Sequence, residues 1–328
     1  MPEMALYVLP MHRDGFGRSI QVNRTVLFLS LLVAWSGSAL AQSDAMDNCD
    51  GVEVNQIIEG CTEAIEKKQA DGDGLADLYG RRANAYGAMG KFEEAFDDFA
   101  KAVELKPQDP DLYYNRGVLH SQAGDYARSI GDLNKSIELK PKSAVALSHR
   151  GYVHSQQGNH EAAVADLTTV IALNPKNPLV YSHRGNAYLG KGDYDKAIAD
   201  YDEAIKLAPK VGQLYHDRGY SYQLKGDYKK AVADFDKAIE FFPKNPQAYN
   251  NRAWSLYKIG NPKKGLQDAE KAVELNKSSA ASWDTLGSIY EALGQRDKAI
   301  EAYKTAMKLD PKQQTSRQHL VRLGAIGQ

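Results

Sequence analysis

The sequence predicts an all-α protein, a right-handed α-solenoid of seven helical hairpins with an N-terminal half-hairpin and a C-terminal capping helix. Three observations predict it. Glycine falls at positions 90, 124, 158, 192, 226, 260 and 294, a step of 34 residues without a miss. Proline keeps the same step at 107, 141, 175, 209, 243 and 311, failing once, where Lys277 stands. Between these marks, apolar residues recur at helical spacing twice per period. Such a ruler belongs to a stack of like supersecondary units rather than to one packed domain.

The stretch from Pro110 to Ser143 shows why each unit is a hairpin. Its first half places Tyr113, Gly117 and His120 at helical spacing. Its second half puts Tyr126, Ser129, Ile130, Leu133, Ser136, Ile137 and Leu139 on one stripe. Gly124 lies between them, where a left-handed residue can end a helix. Asp125, Asn159, Asp193, Asp227 and Asn261 follow the marker glycine and suit the N-cap of the second helix. Asp109, Asn177 and Asn245 precede Pro110, Pro178 and Pro246, a cap followed by proline at the first helical position.

In the unit starting at Pro178, the informative residues are Tyr181, Gly185, Tyr188, Ala197, Tyr201, Ala204 and Pro209. The unit starting at Gly212 repeats them as Tyr215, Gly219, Tyr222, Ala231, Phe235, Ala238 and Pro243. This pattern resembles the tetratricopeptide repeat. The units run 76–109, 110–143, 144–177, 178–211, 212–245, 246–279 and 280–313. His120 and His154 replace the family's tyrosine, Ser129 and Ser136 replace alanines, and Gly265 and Ala269 thin the sixth unit. Where the two helices cross closely, only small residues let the backbones approach. One hairpin cannot bury its own stripe, so each leans on the next and the ends need caps.

Taken in order, residues 1–41 carry a secretory signal pattern. Arg18 and Arg24 precede an apolar run from Val26 to Trp35, and Ala39-Leu40-Ala41 offers a cleavage site after Ala41. The run is short for a membrane span, which needs about 20 residues; an uncleaved anchor is the alternative. Export implies a periplasmic or secreted protein, and with its repeats the chain resembles the small periplasmic repeat proteins of Gram-negative bacteria. In residues 42–75, Ile57, Ile58, Cys61, Ala64 and Ile65 fit the buried places of a second helix, a capping helix without a partner. Cys49 and Cys61, the two cysteines of the chain, read as a disulfide in an oxidising compartment. The linker 69–74 contains Asp71-Gly72-Asp73-Gly74, but Leu75 and Arg82 stand where a calcium loop needs ligands. Residues 314–328 form a capping helix with Leu320 and Leu323 inward and Arg317 and Arg322 outward.

Chemistry is hard to support. The net charge of -1 gives no nucleic-acid footprint, and no P-loop, GxSxG, HExxH or dinucleotide motif occurs. No cofactor is implied. Arginine recurs as the seventh residue (Arg82, Arg116, Arg150, Arg184, Arg218, Arg252) and aspartate as the twenty-third (Asp98, Asp132, Asp166, Asp200, Asp234, Asp268). In the seventh unit both are missing, replaced by Leu286 and Ala302. Both present or both absent suggests an ion pair between the two helices of one hairpin. The alternative pairs each Asp with a lysine three residues on, at Lys101, Lys135, Lys237 and Lys271.

The resemblance places a binding groove along the first helices. Its inner wall here takes Tyr114, Asn115, His149, Tyr152, His183, Asn186, His216, Tyr220, Asn250, Asn251, Trp254 and Tyr257. The histidines read as solvated groove residues rather than metal ligands, since stacked helices separate equivalent places by about 8–10 Å. Asn84 and Asn115 match the asparagines of the family's carboxylate clamp, but Gly80, Val145 and His149 stand where its basic residues belong. The expected function is a non-catalytic scaffold for a protein or peptide partner. Its alternatives are an assembly factor working through the convex face or ends, and an envelope glycan enzyme, for which Asp217 and Asp284 are isolated acids.

Overall fold

The structure, a computed structural model, describes residues 44–327. The signal pattern and its cleavage site lie outside them. The described residues are helical and connected by short turns, and they divide into two compact units, 44–157 and 158–327.

The first unit holds α1 (Asp44–Cys49), α2 (Val54–Glu66), the pair α3 (Gly72–Ala88) and α4 (Phe92–Leu105), the pair α5 (Pro110–Gln122) and α6 (Tyr126–Leu139), and α7 (Ala144–Gln156). In the second, α8 (His160–Leu173) is followed by four pairs. These are α9 (Pro178–Gly190) with α10 (Tyr194–Leu207), α11 (Gly212–Lys225) with α12 (Tyr228–Phe241), α13 (Pro246–Lys258) with α14 (Pro262–Leu275), and α15 (Ala280–Ala292) with α16 (Arg296–Leu309). Helix α17 (Gln314–Arg322) closes the array. Among the described residues, the main packing partners of a helix within each unit lie one or two places along the chain. That is the nearest-neighbour economy of a solenoid.

Caps follow the sequence. Asp109, Asn177 and Asn245 accept from Asp111 N, Leu179 N and Gln247 N ahead of their prolines. Asp125, Asp227 and Asn261 cap α6, α12 and α14, whereas Asp193 turns to Lys196 and Asn159 makes no side-chain cap to α8. All seven marker glycines adopt φ between 72° and 87°, a region costly to any residue with a Cβ. The proline ruler has a use as well. The tyrosine hydroxyl at the fourth place donates to the carbonyl of the preceding proline, Tyr113 to Pro107 at 3.2 Å and Tyr215 to Pro209 at 3.0 Å. Where lysine replaces proline, Trp283 Nε1 donates to Lys277 O at 2.9 Å.

The core is a row of twenty-fourth residues, Phe99, Leu133, Leu167, Tyr201, Phe235 and Tyr303, each fully buried. Opposite Leu133, Tyr201, Phe235 and Tyr303 sits glycine, while Phe99 packs with Ala83. A Cβ on Gly287 would lie 2.7 Å from the Tyr303 ring. In the thin sixth repeat the space beside Gly265 is taken by Ile289, whose Cδ1 lies 3.4 Å from where that Cβ would be. Trp254 does not fill it.

Two sequence expectations need correction at the N-terminus. The capping helix α2 has a helical partner, because α1 lies across it and the Cys49–Cys61 disulfide joins the two, with Cα atoms 4.6 Å apart. Gly60 makes the crossing close enough. A Cβ there would stand 2.4 Å from Cys49 N. The predicted linker is also partly helix, since α3 begins at Gly72 with Asp73 in its first turn, where an acid complements the helix dipole.

Candidate functional site

The arginine and aspartate of one hairpin meet. Nε and Nη2 of Arg82, Arg116, Arg184, Arg218 and Arg252 grip both oxygens of Asp98, Asp132, Asp200, Asp234 and Asp268 at 2.6–2.9 Å. The aspartates are buried. Arg150 and Asp166 belong to different units. The lysines of the alternative pairing are engaged elsewhere: Lys135, Lys237 and Lys271 bind Glu138, Glu240 and Glu274, and Lys101 lies over Tyr79.

Sequence reasoning missed the third donor of these arginines. Nη1 reaches back to the preceding second helix, from Arg150 to Asn134 (2.7 Å), Arg184 to Thr168 (3.1 Å), Arg218 to Asp202 (2.6 Å) and Arg252 to Asp236 (2.7 Å). Arg184, Arg218 and Arg252 therefore each tie their own hairpin together and tie it to the preceding one. The signal was present as an oxygen-bearing residue sixteen places before each of these four arginines.

The predicted groove residues of the first unit lie on α5 and α7. Tyr114 meets the edge of His149 at 6.2 Å, and His149 lies 5.8 Å from Tyr152. The His149 Nε2 atom is 2.9 Å from Ser121 Oγ. Burial pushes both phenols, Tyr114 and Tyr152, above the ordinary tyrosine range. Asn115 is half-buried.

In the second unit the polar residues join one another. His216 Nδ1 lies 3.1 Å from Asp217 Oδ1, which also accepts from Gln213 Nε2 at 2.7 Å. His216 Nε2 lies 3.3 Å from Asn251 Nδ2. Asn250 Nδ2 donates to Asn251 Oδ1 at 3.4 Å, while the buried Asn250 Oδ1 has no donor. Trp254 lies 5.3 Å from Tyr257, with the Lys258 ammonium 5.6 Å from its ring. Tyr220 is half-buried on α11.

Three groove assignments change. His216 is 5% exposed and is no solvated histidine, because Phe235 and its hydrogen-bonding neighbours enclose it. His183 is half-buried, and burial holds its imidazole below the ordinary value. Asn186 accepts the hydroxyl of buried Tyr201 at 2.6 Å, so that oxygen serves the core. Asp217 and Gln213 belong to the cluster although neither was chosen. Both stand at groove places of their unit, which was the available signal. Asp284 accepts from Ser316 of α17, and burial raises its carboxyl. Among the described residues no group of His, Cys, Asp or Glu could hold a metal ion, and no helix is long and apolar enough to cross a membrane.

Family models of the tetratricopeptide repeat match residues 178–211, 110–143, 246–279 and 280–313, and TPR repeat models match 83–124, 151–192 and 219–260. The chain belongs to the tetratricopeptide repeat family. Among solved structures, a TPR protein from Parabacteroides merdae is 18% identical with a TM-score of 0.61, covering 76% of this chain and 99% of that one. The C-terminal part of a TPR repeat-containing protein from Cytophaga hutchinsonii is 20% identical with a TM-score of 0.58, covering 73% and 98%. At these identities the likeness is one of fold. No curated relative matches the chain.

One departure from the TPR pattern has a measurable consequence. His120, in the tyrosine's place, is 6% exposed and stacks on Phe96 at 4.2 Å. Burial lowers its imidazole below the ordinary 6.5, against the pull of Asp132 and Asp125 and with a push from Arg128 and Arg116. The unfolded chain therefore binds more protons between the two values, and stability is complete above 6.5 and falls as pH drops through it. His120→Tyr should flatten the decline in melting temperature between about pH 7.5 and about pH 5.5, with His183 leaving a residual slope. Identical slopes in both proteins would contradict the assignment.

Proposed function

We propose that this TPR protein is a non-catalytic scaffold that holds an extended peptide or protein segment on the first-helix face of its second unit. The carrying observation is the chain His216–Asn251–Asn250, which ends in a buried amide oxygen without a donor beside Trp254. An unmatched buried acceptor costs about 1–3 kcal/mol, and a ligand N–H would recover it. Trp254 is half-buried with its ring 5.3 Å from Tyr257, which suits an aromatic anchor. Asp217 and Asp284, each bonded to its own neighbours, lend no support to glycan hydrolysis. We place the protein in the cell envelope on the signal pattern ending at Ala41 and the Cys49–Cys61 disulfide, since structural disulfides persist in oxidising compartments.

The test is crosslinking of the protein in its native compartment, identification of the partner, and titration with wild type and Trp254→Ala. Affinity should fall about thirtyfold, the equivalent of about 2 kcal/mol, with the melting curve nearly unchanged. A large stability loss with unaltered affinity would make Trp254 a core residue. Crosslinks confined to the second helices would instead favour the assembly-factor reading.

A further inference from the structure

The second hairpin, α5 with α6, departs from its sister hairpins at several places that share one cleft. The cleft holds about 670 Å³ and is lined by Phe96, Arg116, His120, Arg128, Gly131 and Asp132, with Ala127 beside them. Small residues open it. Ala127 stands where the other repeats carry Glu93, Glu161, Asp195, Lys229, Lys263 and Asp297, and Gly131 where three of them carry Asp97, Gln267 and Glu301 and three carry alanine. No atom lies within 4 Å of a Cβ built on Gly131.

One of the lining residues, Arg116, has an incomplete set of partners. Arg116 grips Asp132 with Nε and Nη2. Sixteen residues earlier, where Arg218 and Arg252 find Asp202 and Asp236, Arg116 has Ala100, whose methyl accepts nothing. Among the described repeats Arg116 is thus the arginine whose Nη1 lacks the oxygen its sisters hold. His120 Nδ1 beside it is buried with no partner. Arg128, 72% exposed and paired with Asp125, stands at the rim.

The protein itself shows what chemistry satisfies this arrangement. In the second unit Arg218 stands between two carboxylates, Asp202 and Asp234, at 2.6 Å from each. A guanidinium has donors enough for both. We propose that the cleft binds a carboxylate side chain from an acidic segment of a partner protein, taken by Arg116 Nη1 as Asp202 is taken by Arg218. The guest's methylenes would lie along Phe96 and Ala127, a floor that a bare anion would not use. The site is separate from the first-helix face and does not depend on the function proposed for it.

The probe is fluorescein-labelled hexaglutamate, titrated into the full chain at low ionic strength, where exposed charges are least screened. Saturable binding is expected, with labelled hexaglutamine at least about tenfold weaker. Ala100→Asp should weaken binding by at least about tenfold, because it supplies the missing carboxylate from within, and should raise the melting temperature. Gly131→Gln, copying Gln267, closes the cleft without charge and should weaken binding too; it carries the test if Ala100→Asp misfolds. Equal binding by wild type and the folded variants overturns the proposal, as do equal binding of hexaglutamine and an absence of saturation. Displacement by free succinate at the same concentration as by unlabelled peptide overturns the assignment to a protein segment.

Discussion

Replacing Arg184 with leucine should destabilise the second unit by about 3–5 kcal/mol, the usual cost of leaving one half of a buried ion pair behind. The abandoned Asp200 is 5% exposed, so water cannot replace the two hydrogen bonds it loses. Thr168 loses its donor at the same time, which loosens α8 from α9. Asp200→Ala should cost less. The arginine left alone is 18% exposed and keeps Thr168 and the rings of Tyr181 and Tyr188, each 5.9 Å away. The double change copies the seventh repeat, where Leu286 and Ala302 are both buried, and should recover much of the loss. Denaturant melts of the two single variants and the double variant measure a coupling of about 1–3 kcal/mol. Strict additivity would mean that the two residues do not interact.

Removing the N-terminal disulfide with Cys49→Ala and Cys61→Ala should weaken the cap by about 3 kcal/mol on the chain-entropy account of a loop this short. Helix α1 has six residues and buries little beyond Ala45 and Cys49. A helix so short does not hold itself together in water, so the covalent tie and the contact at Gly60 keep it in place. Hydrogen exchange should rise first in α1, then in α2, and leave the second unit unchanged, since stability in such arrays is a sum of local terms. Gly60→Ala attacks the same contact from the other side. Its Cβ would collide with the backbone of Asn48 and Cys49, an overpacking cost of about 1–3 kcal/mol, and the disulfide should become easier to reduce. Unchanged exchange in α1 in both variants would show that the cap does not rest on this crossing.

Much of the protein is legible without coordinates. The 34-residue step sets the hairpins, the glycine turns, the caps and the identity of the buried twenty-fourth residues, because each follows from a position within one repeat. The Arg–Asp pairing is readable in the same way. Seven copies inside one chain act as a comparison set, and Leu286 with Ala302 marks the copy that lacks both partners. What lies between repeats is not readable. Periodicity says that Arg218 and Asp202 occur, but only helix packing brings the spare guanidinium nitrogen to that carboxylate. The same holds for Asn186, consumed by Tyr201, for His216, enclosed by Phe235, and for Ile289, which fills the space beside Gly265. The reason is geometric. A repeat position fixes the direction of a side chain, while its partner depends on ångström-scale approach between helices whose sequences differ from one copy to the next.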